Sequence, residues 1–95
     1  MVVGILRLTL LLPENHSIKG KRQVLRAIKA RVQNKFNVSI AETDHNDIWQ
    51  RAELGICQVG NNRPFVDSAL REVVNYIESL GLAPLGEEHL ELINC

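Results

Sequence analysis

The stretch at residues 17–36, SIKGKRQVLRAIKARVQNKF, decides how the rest of the chain is arranged. Leu25, Ile28, Val32 and Phe36 recur at spacings of three and four, so they share one side of a helix. Lys19, Arg22, Arg26 and Lys29 recur in the same way and form a neighbouring stripe. With Lys21, Arg31 and Lys35 the stretch holds seven of the chain's eleven basic residues, and no acid. One helix therefore buries an apolar side and holds out a row of cations. Ser17 is placed to cap it. Gly20 weakens the first turn, and Lys19, Lys21 and Arg22 in that turn oppose the helix macrodipole, which prefers acids there. Two helix rules broken in one turn point to service to a ligand.

Upstream of the helix, Val2, Leu6, Leu8, Leu10 and Leu12 alternate with Val3, Ile5, Arg7, Thr9 and Leu11. The even positions are the stronger apolar set and face the core of a strand that Pro13 ends. Downstream, VSIAETD (38–44) is a second strand, HNDI a polar connection, and WQRAELGICQV (49–59) a third strand closing an antiparallel hairpin. Asn62 caps a second helix opened by Arg63-Pro64, its apolar positions running Phe65, Val66, Ala69, Leu70, Val73, Val74, Ile77 and Leu80 before Gly81 stops it. A looser LAPLGEE precedes a final strand, HLELIN (89–94). The order strand, helix, strand, strand, helix, strand, with right-handed crossovers, predicts a ferredoxin-like α+β sandwich. It has four antiparallel strands and two helices on one face, in a single domain over residues 1–95.

The 45% apolar and 23% charged composition is that of a soluble globular protein, and 95 residues suffice for one core. Net charge is zero, which weighs against nucleic acid until its distribution is read. Residues 1–41 carry +7 and residues 42–95 carry −7. The division predicts two oppositely charged surfaces, one able to steer an anion; the alternative is that the halves interleave and neutralise each other. Cys57 and Cys95 form no C-x-x-C, so zinc and redox sites have no support, and a reducing compartment is expected. The apolar start MVVGILRLTLLLP is interrupted by Arg7 and Thr9 and lacks a basic leader or cleavage site. It reads as a buried strand, and the protein as cytoplasmic with no membrane partner.

The run LLPENHSIKGKRQVLRAIKARVQNKFNVSIAETDHNDIWQRAELGI, above all HS-x-K-x-KR, FNVS-x-AE and D-x-x-D-x-WQRA, resembles the YlxP-like family, small bacterial proteins classed as a domain of unknown function. The resemblance implies the ferredoxin-like fold and a cytoplasmic bacterial protein whose relatives are often encoded near translation and ribosome-maturation factors. It supplies no activity, so no catalytic residue is carried over.

The residues therefore point to a binding site. His16, Ser17, Lys19, Lys21 and Arg22 gather at a helix N-terminus, whose free N–H groups and dipole suit phosphate. Arg26 and Lys29 extend the site along the helix, as tracking a polyanion backbone requires. The competing reading is a solvated helix face. Base stacking of the kind many ferredoxin-like folds use has no aromatic residue in the middle of the first or third strand, so an RNA contact rests on charge and shape. Glu42, Asp44, His45 and Asp47 match no metal-loop signature, and His16 and His89 have no nucleophile nearby in sequence. Neither a metal, a cofactor nor an enzymatic function is expected. Trp49 is expected to anchor the hairpin. The open sheet face, with Val3, Ile5, Ala41, Cys57 and Ile93, is apolar enough to predict a homodimer, against a monomer with scattered exposed side chains. The expectation is a non-enzymatic RNA-binding or ribosome-associated accessory protein. The alternative is a dimeric ACT-like regulatory or protein-interaction module, and a weaker third is an enzyme holding a phosphorylated small molecule at Ser17.

Overall fold

A computed structural model describes residues 1–45 and 48–95. The elements follow in the expected order: β1 (Val2–Leu11), α1 (Ile18–Lys35), β2 (Ser39–Asp44), β3 (Arg51–Gly60), α2 (Arg63–Leu80) and β4 (Leu85–Asn94). The strands form one antiparallel sheet in the order β2-β3-β1-β4, the ferredoxin-like arrangement. β1 lies in the interior and pairs with β3 from Val2↔Gly60 to Leu11↔Arg51 without a slip. Such a register turns Leu6, Leu8 and Leu10 to the same side as Ala52, Leu54 and Ile56, and all six are buried.

Two helices cover that side. α1 contributes Leu25, Ile28 and Val32, and α2 contributes Val66, Leu70, Val73 and Ile77. Gly4 interrupts an otherwise apolar strand because α2 crosses it closely. A β-carbon there would stand 2.5 Å from Leu70 Cδ1 and 2.6 Å from Val66 Cγ1. Both helices are capped as the sequence predicts: Ser17 Oγ accepts from Gly20 N at 3.0 Å, and Asn62 Oδ1 from Phe65 N at 3.0 Å. Gly81 ends α2 in the left-handed conformation. No described helix is long and apolar enough to cross a membrane.

Two boundaries differ from expectation. β4 begins at Leu85 rather than His89, pairing Leu85 with Leu10 and Glu88 with Leu8 across an irregularity. It is an edge strand whose residues 86–89 lie in solvent, while Leu90 and Leu92 pack against the core, so its first half needs no apolar alternation; its Glu87, Glu88 and Glu91 are charges of the kind that protect an edge from further pairing. β3 begins at Arg51 rather than Trp49, because the Ile48 and Trp49 carbonyls accept from the side chains of Lys21 on α1 and Asn15 in the β1–α1 connection instead of from the ladder.

Candidate nucleic-acid interface

α1 packs on β2, at one edge of the sheet, while α2 packs on β1, β3 and β4. The helix carrying seven cations and no acid thus stands at the opposite side from the acid-rich β4. Lys19, Arg22 and Arg26 are exposed and Lys29 is half-buried, all on one stripe. At 1.5 Å per residue the stripe runs about 15 Å. Ile18, Lys19, Arg22, Gln23 and Arg26 line a shallow depression on its outer side. A second groove, against β2, is lined by Arg22, Arg26, Lys29, Gln33 and Glu42.

Lys21 is not part of the stripe, contrary to its expected place among the phosphate ligands. Its side chain is 1% exposed, the one charged residue in the core of the described residues. Nζ donates to the carbonyls of His45 and Ile48, the latter at 2.6 Å, and stands 3.0 Å from Glu42 Oε2. That oxygen is buried, and Nζ approaches it off the line of a hydrogen bond, so the contact is one of charge. The burial follows from position: Lys21 lies four residues before Leu25 and seven before Ile28, on the apolar stripe, and Glu42 lies two residues after Ile40, on the buried side of β2. Helical periodicity contained this signal. The residue type, lysine, hid it.

The other cations of α1 divide. Arg31 is exposed but about 140° round the helix from Arg26. Lys35 holds its ammonium 4.5 Å from the Tyr76 ring centroid, beside the Phe36–Tyr76 pair. Among the described residues, Lys19, Arg22, Arg26 and Lys29 make no ion pair. Besides Glu42, two acids of the second half have partners within that half: Glu87 stands 3.7 Å from His89 Nε2, and Asp67 3.0 Å from Arg71 Nε. The Asp67 hydrogen bond, then its charge, raise the Arg71 pKa further above its ordinary value against the opposing effect of burial. Among the described residues, Lys21 alone of the α1 cations is tied to a carboxylate, that of Glu42.

The N-terminal end of α1 is more closely built than its sequence suggests. Asn15 Nδ2 donates to Ser17 O at 2.7 Å and to Trp49 O at 2.6 Å, while Gln50 Nε2 donates to Asn15 O at 3.1 Å. Leu12 N donates to Gln50 O at 2.8 Å. Gly20 is explained by this network, not by a ligand: a β-carbon there would collide with Asn15 Oδ1. His16 is exposed just before the cap, and the Ser17 oxygen is already engaged in capping. His45 takes a left-handed conformation, φ 66, with its carbonyl on Lys21. Such a conformation costs about 1 kcal/mol or more, and the buried ammonium helps to hold it.

Of the loop acids, Glu42 faces Lys21, Asp44 Oδ1 accepts from His45 N at 2.7 Å, and Asp47 lies outside the described residues. Glu42, Asp44 and His45 do not converge on a common point where a cation would sit. Cys57 and Cys95 are exposed free thiols. The Trp49 carbonyl ties the hairpin to Asn15, while the residue is 49% exposed.

Residues 3–88 match the family described as "Protein of unknown function (DUF503)". The chain is also similar to "Uncharacterized protein YlxP" of Bacillus subtilis (strain 168), with 48% identity over 63 residues, 66% of this chain and 68% of that protein. The ferredoxin-like sheet with its basic first helix is thus the form taken here by a member of the DUF503 family, to which this chain belongs.

Proposed function

We propose that this protein is a non-enzymatic accessory factor that docks on structured RNA, such as ribosomal RNA, through the outer stripe of α1. The observation that carries the reading is the row Lys19, Arg22, Arg26 and Lys29, about 15 Å long and without an ion-pair partner among the described residues. Four point charges in line suit successive phosphates better than one small anion. Affinity comes from counterion release, with about 0.7–0.9 counterions freed per phosphate neutralised, and orientation from the fit of the helix to a groove. Base identity is not read by this row.

The test is fluorescence anisotropy of a labelled ribosomal RNA hairpin against wild type and the triple variant Lys19→Glu/Arg22→Glu/Arg26→Glu. All three positions are exposed, so the variant is expected to keep its far-UV spectrum and melting temperature. Wild-type binding should fall with a log–log salt slope of about −3, and the variant should lose binding with a slope near zero. Equal affinity of the two proteins for RNA would end this reading.

A second reading, the dimeric ACT-like module, is favoured by the open sheet face. Val59 is 64% exposed and Ile93 39%, adjoining Val3, Ile5 and Cys57. Arg7, Arg51, Glu53 and Glu91 on the same face supply both signs of charge, so a second copy related by a two-fold axis could match it.

A further inference from the structure

Three large apolar side chains remain in solvent at the end of the molecule where the cation row begins. They are Ile18 at 37% exposure, Ile48 at 45% and Trp49 at 49%. Single exposed apolar residues are ordinary. Here the backbone of residues 48–50 is hydrogen-bonded from several sides. The carbonyls of residues 48, 49 and 50 accept from Lys21 Nζ, Asn15 Nδ2 and Leu12 N respectively. Because Asn15 Nδ2 also donates to Ser17 O, the Trp49 backbone lies within two hydrogen-bond lengths of the α1 cap. Ile18 shares its depression with Lys19, Arg22 and Arg26. Among the described residues no aromatic ring or cation stacks on Trp49.

From this placement we infer that Trp49 is a stacking platform for an unpaired nucleobase, set at the N-terminal end of the phosphate-binding row. The inference rests on the reading above and specifies its ligand: RNA in which a helical segment ends in, or is interrupted by, a single-stranded nucleotide. The phosphates of the helical segment lie along Lys19, Arg22 and Arg26, and the first base beyond it stacks on the indole, with Ile18 and Ile48 excluding water at the margin. Aromatic stacking is sequence-tolerant because every base presents a π face. An indole, with two side-chain torsions, loses little conformational freedom on binding. An occupant of opposite charge is required by the adjoining cations, which sets nucleic acid ahead of an apolar protein surface.

Trp49 is the chain's single tryptophan, so intrinsic fluorescence reports on this position alone. The experiment compares a blunt RNA duplex with the same duplex carrying a three-nucleotide 3′ overhang, titrated into wild type, Trp49→Ala, Trp49→Phe and the triple charge-reversal variant. The overhang RNA should quench wild-type emission and the blunt RNA should not. Trp49→Ala should weaken overhang binding by about 5- to 150-fold, leave blunt binding and both salt slopes unchanged, and be partly rescued by Trp49→Phe. If Trp49→Ala binds both RNAs as wild type does, while charge reversal still abolishes binding, the platform is refuted and the docking row stands. Equal losses for both RNAs refute it too, because they mark a distorted hairpin. If charge reversal changes nothing, the row and the platform fail together.

Discussion

Replacing Lys21 by Met tests whether the buried ammonium organises the site. Methionine keeps the length and helix preference of lysine and removes the charge. The ammonium's removal strips donors from the His45 and Ile48 carbonyls and leaves Glu42 Oε2, itself buried, facing an apolar chain. Breaking one member of a buried pair costs about 3–5 kcal/mol, because the remaining charge is uncompensated. Glu42 is 23% exposed, so water recovers part of this, and a loss of about 3 kcal/mol is expected. In a chain of this size that lowers the melting temperature by roughly 12–24 °C. Glu42→Leu in the same protein removes the orphan charge, so the double variant should be more stable than Lys21→Met alone by at least about 1 kcal/mol. Urea titrations of wild type, both single variants and the double variant, followed by Trp49 emission and far-UV circular dichroism, give the coupling directly. Trp49 emission in Lys21→Met should also change before the global transition, since Ile48 loses its tether. Lys19→Met, at an exposed position, should shift stability by no more than about 0.5 kcal/mol. Additive single effects, or a Lys21→Met variant within about 1 kcal/mol of wild type, would refute the assignment.

The structure makes two further predictions. Gly4→Val should destabilise by about 1–3 kcal/mol through overpacking, since the added atoms meet Leu70 and Val66 of α2, and a urea midpoint measures it. If two open faces pair, sedimentation equilibrium should give a dimer that Ile5→Glu converts to monomer with its secondary structure intact; a monomer at all concentrations removes the ACT-like reading.

How far the sequence discloses the fold depends on how strongly burial imposes a period. β1 is interior and covered on one face, so its alternation is unbroken. Both helices have apolar stripes bounded by caps, and their limits come within a residue of expectation. The start of β4 is illegible because residues 86–89 are exposed and impose no alternation, unlike Leu90 and Leu92 beyond them, which pack on the core. Lys21 and Glu42 were legible in position but masked by type. Each sits on a buried stripe, and two opposite charges on facing buried stripes are a pairing signal; reading the first turn as one cationic cluster overlooked it. Gly20 misled for a related reason. A local rule is broken there to admit Asn15, a contact five residues back that neither helix propensity nor dipole reasoning represents. Trp49 precedes β3 rather than opening it: its carbonyl and that of Ile48 accept from the side chains of Asn15 and Lys21, contacts that strand alternation does not represent.

Zero net charge is no obstacle to a polyanion when opposite charges are held apart. β2 and β4 are separated by β3 and β1, which at about 4.8 Å per strand places the acidic edge roughly 14 Å from the edge beneath α1. The Debye length at physiological ionic strength is about 8 Å, so Glu87, Glu88 and Glu91 are largely screened from a phosphate on the α1 stripe. Glu42 is the acid that borders the stripe, and Lys21 offsets its charge from inside the core. Burial of Lys21 therefore has two effects on the surface: it offsets the charge of a carboxylate that lines the groove beside the row, and it holds the carbonyl of Ile48, next to Trp49. A lysine lost from the count of phosphate ligands leaves the four remaining cations with a cleaner field than a fifth exposed one would give beside an unpaired Glu42.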